Sequence, residues 1–407
     1  MRMRYSPISS NSVRSCASAR RSRARAVFAP FAALLVSACA SIYATDALAC
    51  TPAPLPPGAQ GEDLCYGPAE WDEPTLNGRR LQQAFDFYRA PTSAPAPLVI
   101  WAHPNGSSKR LVPDGELYKA LVLPALAAGF SFASIEFRHP VTNEAEADSP
   151  TNPGVPHRDI ARAIQFIRAN ANALGIDKRN VFFVGGSRGT LTLWTALQDD
   201  MAIPDSADPV ARQSTRVNAV FGVNAQTTYD GVEFADSFLV PADRPVAKAA
   251  WRLEHPKYAQ FGSAILSVSA GPQPDPPVML RYDQPFVGRL ITLAELDGMS
   301  EVHYPDFGLA LCAAYLQAFG ASSRCSADSD PRYTHAAGAY AGYIAFFKAH
   351  LYRPQTLPLA AQRVAQPQTV KLSEGMRSQR AFSQGGSPQE RAMNVAEAGN
   401  SASGRVR

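Results

Sequence analysis

One pentapeptide in this chain of 407 residues offers a nucleophile. Gly185-Gly186-Ser187-Arg188-Gly189 reads G-x-S-x-G. Glycines on either side let the chain take a sharp, strained turn that pushes the serine hydroxyl outward, which is what acyl transfer needs. The flanking sequence supports that geometry. Val181-Phe182-Phe183-Val184 is a continuous apolar run, as in a strand buried on both faces, and Thr190 to Asp199 has a helix-like pattern. The N-terminus of such a helix favours negative charge developing on a substrate. A serine hydroxyl is a weak nucleophile by itself. It requires an imidazole within hydrogen-bond reach and a carboxylate that fixes the ring tautomer and stabilises its protonated form. The chain has 7 histidines, and those after Ser187 are His255, His303, His335 and His350. No C-x-x-C or H-E-x-x-H spacing occurs, so nothing points to zinc, and no cofactor is implied.

The elements that must hold these groups alternate in type. Leu98-Val99-Ile100-Trp101, Phe130 to Phe137, Val181 to Val184, Val217 to Val223 and Val278 to Tyr282 read as strands. Glu116 to Ala128 reads as a helix ended by Gly129, with Pro124 as a kink or break. Asp159 to Leu174 is the clearest helix, with Ile160, Ala163, Ile164, Ile167, Ala171 and Leu174 at helical spacing and Gly175 after it. Ala336 to Leu351 reads as a last amphipathic helix. Strands alternating with helices predict an α/β fold, a doubly wound, mostly parallel sheet with helices on both faces.

The two ends of the chain differ from this core. Residues 1–49 carry Arg2, Arg4, Arg14, Arg20, Arg21, Arg23 and Arg25 and a single acid, Asp46, followed by an apolar run from Ala26 to about Ala40 and the small-residue end Ala47-Leu48-Ala49. Basic start, short apolar middle and A-x-A end predict a secretory signal peptide over 1–49. Val36-Ser37-Ala38-Cys39 offers a second route of export, since a cysteine in this setting resembles the lipidated cysteine of a bacterial lipobox. Residues 354–407 hold few large apolar side chains and are rich in Gln, Ser, Ala and Gly, which predicts a disordered tail. The formal net charge of +4 belongs to these ends. The segment 50–353 has 25 basic and 31 acidic residues, a net of −6, so it presents no basic surface for nucleic acid. No apolar stretch is long enough for a membrane span in the mature protein. Cys50, Cys65, Cys312 and Cys325 remain in the core, an even number that suits an oxidising compartment. The local pairings Cys50 with Cys65 and Cys312 with Cys325 would close short loops, each worth up to about 3 kcal/mol; other pairings satisfy the count equally.

Several blocks in a fixed order resemble the bacterial α/β-hydrolase esterases of the hormone-sensitive-lipase and feruloyl-esterase-like kind, over roughly residues 81–352. They are Phe85-Asp86-Phe87-Tyr88-Arg89-Ala90-Pro91, His103-Pro104-Asn105-Gly106, Phe137-Arg138, Asp159 at the opening of the long helix, Gly175-Ile176-Asp177, and the Ser187 pentapeptide. The resemblance implies an oxyanion hole formed by the amide of Arg188 and a second donor from the segment after the first core strand. Pro104 has no N–H, so Asn105 or Gly106 must supply it. His103 falls where the family has a non-catalytic histidine. The chain order Ser, acid, His is implied, and His335, just before the last helix, stands where the family's base lies. His303 is expected to pack or to contact the acid loop, and His350 to sit on a solvated helix end. The acid should come from the loop 283–304 after Val278 to Tyr282. Glu301 ranks first because Pro305 and a helix follow it, then Asp297 and Asp283, with Glu295 also placed by position. The segment Ala225 to Gly271 is either a cap over the serine or a packed excursion whose aromatics Tyr229, Phe234, Phe238, Trp251, Tyr258 and Phe261 are core.

These readings predict an exported serine hydrolase with a small-molecule carboxylic ester as substrate. A serine peptidase of the prolyl-oligopeptidase kind and a non-catalytic binding protein on a decayed hydrolase scaffold are the alternatives.

Overall fold

The computed structural model describes residues 52–67, 83–137, 155–228, 230–254, 263–297, 299, 303–320 and 324–353. The expected signal peptide (1–49) and tail (354–407) lie outside the described residues. No helix among the described residues is long and apolar enough to cross a membrane.

Eight strands make one sheet: β1 (Gln60–Cys65), β2 (Ala84–Tyr88), β3 (Ala96–Ala102), β4 (Ser131–Ile135), β5 (Ile176–Gly186), β6 (Val220–Val223), β7 (Val278–Tyr282) and β8 (Cys325–Ser329). Their order is β1-β2-β4-β3-β5-β6-β7-β8. β2 runs antiparallel to both its neighbours, and β3 to β8 are mutually parallel. The alternation of side chains along a strand explains why the central strands are continuously apolar. Leu98, Ile100, Ala102, Val181 and Phe183 point into the core on one face of the sheet. Val99, Trp101, Phe182 and Val184 point into the core on the other. Each such buried side chain contributes about 1.5–3 kcal/mol of transfer free energy.

The helices cover those two faces. A π-helical stretch, Tyr118–Val122, leads into α1 (Leu123–Ala127), where Pro124 sits in the first turn and the expected kink is a change of helix type. The long helix begins earlier than expected and is interrupted: α2 (Val155–Ala169) and α3 (Ala171–Leu174) are separated at Asn170, whose side-chain amide donates to the Phe166 carbonyl. Asp159 is therefore not its opening residue. It is buried inside α2, where it accepts a hydrogen bond from Gln83 Nε2 at 2.9 Å. After the turn at Ser187 comes α4 (Leu191–Ala196). The segment between β6 and β7 holds α5 (Gly231–Phe238), α6 (Arg244–Glu254) and α7 (Ala264–Ser267). α8 (Leu293–Leu296) and α9 (Asp306–Phe319) precede β8. The expected last helix is two, α10 (Ala336–Ala339) and α11 (Tyr343–Ala349), broken at Gly342 with φ of 78°.

Cys312 on α9 is disulfide-bonded to Cys325 at the start of β8, one of the expected pairings. Cys65 is also disulfide-bonded, and Cys50, its expected partner, lies outside the described residues.

Candidate active site

β5 delivers Ser187. It ends at Gly186, and Ser187 opens a 3-10 turn, Ser187–Thr190, that runs into α4. Ser187 has φ of 49°, a left-handed conformation that costs a non-glycine residue on the order of 1–3 kcal/mol. Its surroundings over-determine the bend. Thr190 Oγ1 donates to the Ser187 carbonyl at 2.6 Å, and Thr192 Oγ1 donates to the Gly189 carbonyl at 2.9 Å. The glycines are sterically required. A Cβ on Gly189 would lie 2.0 Å from the Ala102 carbonyl oxygen, and one on Gly185 2.2 Å from the Gly189 carbonyl oxygen. Gly189→Ala should therefore destabilise the fold by about 3 kcal/mol or more, read as a lowered urea midpoint; an unchanged midpoint would count against this tight approach of the turn to β3.

The imidazole that meets Ser187 is that of His303. Ser187 Oγ lies 2.7 Å from His303 Nε2. This corrects the expectation for His335. His335 is an exposed N-cap of α10, and it lines a cleft of about 350 Å³ with Glu116, Lys119, Pro124 and Tyr340. The reason is local. Asp330 caps the turn Pro331–Thr334, and Arg281 Nη1 donates to the Gly338 and Ala339 carbonyls, so the end of α10 is held down on β7. His350 packs edge-on to Phe346 at the end of α11, and His255 lies outside the described residues.

His303 comes to Ser187 because it immediately precedes Tyr304, Pro305 and α9, a buried apolar unit. Tyr304 and Phe307 are buried and pack with Phe234 and Phe238 of α5 at ring separations of 5.2–5.8 Å. Thr227 Oγ1, beyond β6, donates to the Phe307 carbonyl at 3.1 Å. Phe238 is buried in the core and Phe234 packs against it partly exposed; the side chains of Tyr229, Trp251, Tyr258 and Phe261 lie outside the described residues.

Burial pushes the His303 ring's proton affinity below the ordinary histidine value, and the negative charge of Asp283 opposes that shift. Burial thus favours the neutral ring, the form able to accept a proton. Asp283 is the first residue after β7. Its N–H donates to Asn224 Oδ1 at 3.1 Å, and the Asn224 N–H donates to the Arg281 carbonyl at 2.7 Å, tying the ends of β6 and β7 together. The other acids fare differently. Asp297 is exposed at the end of α8. Glu295 is committed to Arg289 and to the capping box of α8, which together hold its carboxyl down to about 2. Glu301, ranked first on sequence, lies outside the described residues.

Arg188, the residue after Ser187, turns its side chain into the protein. It is buried, stacks over the Phe137 ring at 4.4 Å and donates from Nη2 to the Phe137 carbonyl at 3.2 Å. The loop after β3 turns at Pro104–Ser107, closed by the Ser107 N–H on the Pro104 carbonyl at 3.2 Å, with Asn105 and Gly106 exposed at the corner. Beneath it His103 is fully buried, its Nδ1 2.9 Å from the Pro104 carbonyl and its Nε2 2.8 Å from Glu136 Oε1. Glu136 Oε2 also accepts the Lys109 N–H at 3.1 Å. His103 is structural: it pins the loop that carries the two expected amides.

The strand order, the antiparallel β2 and a serine on a strained turn at the end of β5 define the α/β-hydrolase fold. Residues 85–247 match the family model described as BD-FAE, which bears out over that segment the esterase resemblance drawn from the sequence motifs. Solved structures similar to this chain include a truncated carbohydrate esterase from gut microbiota, with 16% identity and a TM-score of 0.45, covering 74% of this chain and 97% of that one. Another is the butyrate-bound esterase Est2 of Thermogutta terrifontis, with 14% identity and a TM-score of 0.41, covering 70% and 92%. An acetyl ester-xyloside bifunctional hydrolase from Caldicellulosiruptor lactoaceticus has 15% identity and a TM-score of 0.41, covering 68% and 86%. At such scores these likenesses carry no argument about the reaction. No curated protein matches the chain.

Proposed function

We propose that the protein is a serine hydrolase that cleaves carboxylic esters, with Ser187 as nucleophile, His303 as general base and Asp283 as the acid that supports it. The 2.7 Å approach of Ser187 Oγ to His303 Nε2 carries this reading. With the serine hydroxyl donating to Nε2, the neutral ring holds its proton on Nδ1. His303 takes the hydroxyl proton as Oγ bonds to the ester carbonyl carbon. The oxyanion is held by the N–H of Arg188 and by that of Asn105 or Gly106, and loss of one such donor costs on the order of 2.7–4 kcal/mol. The imidazolium, stabilised by the Asp283 carboxylate, gives its proton to the departing alcohol as the acyl carbon–oxygen bond breaks. Water then repeats the sequence on the acyl-enzyme, releasing the acid and restoring the Ser187 hydroxyl. The order Ser187, Asp283, His303 along the chain is that of α/β-hydrolase triads.

Export, by the signal peptide ending at Ala49 or by lipidation at Cys39, belongs to the same proposal. The Cys312–Cys325 disulfide and the bridged Cys65 support it, since such bonds persist in oxidising compartments.

A fluorophosphonate probe tests the reading. The folded protein is expected to hydrolyse p-nitrophenyl acetate and to carry the label on the peptide containing Ser187. A folded sample that takes no label there overturns the assignment.

A further inference from the structure

We infer that Asp306 is a positioning residue for the Ser187–His303 pair: it clamps the loop that begins at Asp283 onto the helix that follows His303. This rests on the catalytic reading above. The observation is a buried carboxylate with no part in the chemistry and two backbone partners from one loop. Asp306 is the first residue of α9, three positions after His303, and is 5% exposed. Its Oδ1 accepts the Val287 N–H and its Oδ2 the Gly288 N–H, both at 2.8 Å. Tyr304 Oη approaches Oδ2 at 3.5 Å.

Val287 and Gly288 follow Asp283 by four and five residues. One side chain therefore spans the two segments that supply acid and base, and charge-assisted bonds from a carboxylate to amides are the strong, short kind. α9 itself cannot slide. A Cβ on Gly308 would fall 2.5 Å from the Tyr282 ring, so the helix is packed onto β7 at the residue preceding Asp283. With α9 fixed on β7 and the loop fixed on α9, the distance between the Asp283 carboxylate and the His303 ring is set by the Asp306 clamp.

The groups facing His303 are few. Ser187 approaches from the β5 turn, and Asp283 acts on it from the β7 loop. Tyr304 and Asp306 stand on its own segment, while Arg289 and Glu295 further along the loop neutralise each other. Glu301 lies outside the described residues. Among the described residues, Asp283 is the one charge that raises the proton affinity of His303. Loosening the clamp should weaken that influence, so the acid limb of the pH–rate profile should move to lower pH. The same loosening should lower the plateau, because the imidazolium loses its support as it forms.

The test compares pH profiles of kcat and of the phosphonate labelling rate for the full chain, Asp306→Asn and Gly288→Ala. Asp306→Asn replaces an acceptor oxygen with an NH₂ group facing an N–H. Gly288→Ala burdens a loop residue with φ of 67° while leaving open space around the new methyl, so folding is preserved. The expected result is a kcat lower by on the order of 10²-fold in Asp306→Asn with KM little changed, and an acid limb displaced to lower pH in both variants, less in Gly288→Ala. Profiles superposable on that of the parent protein in the folded variants overturn the inference, and Gly288→Ala decides alone if Asp306→Asn does not fold. Should the unaltered protein take no label, the catalytic reading itself has failed, a separate outcome.

Discussion

Replacing His303 with alanine is expected to lower kcat for a p-nitrophenyl ester by on the order of 10⁴-fold, while His335→Ala keeps kcat close to that of the parent protein. The asymmetry follows from geometry. His303 Nε2 is 2.7 Å from Ser187 Oγ, whereas His335 is an exposed N-cap residue lining a different cleft. Without His303 the hydroxyl proton has no acceptor as the Oγ–carbon bond forms, and water is a poor substitute in a half-buried site. The loss should be greatest near neutrality, where the buried ring is unprotonated. The sign is fixed by the direction of the shift: a base whose proton affinity is depressed stays competent below the usual histidine range. Steady-state kinetics on the two variants, with circular dichroism to establish folding, decides the matter. Equal losses, or a larger one in His335→Ala, would remove His303 from the role.

Ser187→Ala should have a still larger effect, abolishing phosphonate labelling and reducing kcat by on the order of 10⁶-fold. Its stability should rise or stay level. The left-handed φ at residue 187 remains strained for alanine, and on the proposed mechanism the hydroxyl removed serves the reaction and not the fold. A protein that loses activity and melts at a lower temperature would show that the hydroxyl is a structural group; activity retained in the variant would exclude an acyl-enzyme on this residue.

The middle of the sheet was legible because Leu98 to Trp101 and Val181 to Val184 are buried on both faces and needed no partner to be recognised, while Val278 to Tyr282 shows the alternation of a strand buried on one face. The edge strands were not. β1, Gln60-Gly61-Glu62-Asp63-Leu64-Cys65, and β8, Cys325-Ser326-Ala327-Asp328-Ser329, are polar because each has one neighbour and an open side. Helix breaks at Asn170 and Gly342 were hidden inside continuous apolar patterns. The turn that carries Ser187 was legible from local sequence alone, since a glycine-bounded turn between strand and helix is a local requirement. The imidazole that meets it was not, because His303 and His335 both follow the serine and both precede a helix. Which of them meets Ser187 depends on how Tyr304 and Phe307 pack against α5, a tertiary matter. A signal was present nonetheless: Asp283 directly ends a strand, His303 follows it, and Tyr304-Pro305-Asp306-Phe307 then opens an apolar helix. Asp306 itself read as an ordinary first-turn acid.

The contact of Gly189 with the Ala102 and His103 carbonyls has a bearing on how such a protein can diversify. The Ser187 bend and the end of β3 are in van der Waals register, so neither can drift without displacing the other. A side chain added to the bend must therefore be answered by a movement of β3, a constraint that the exposed positions of α5 and α6, between β6 and β7, do not share.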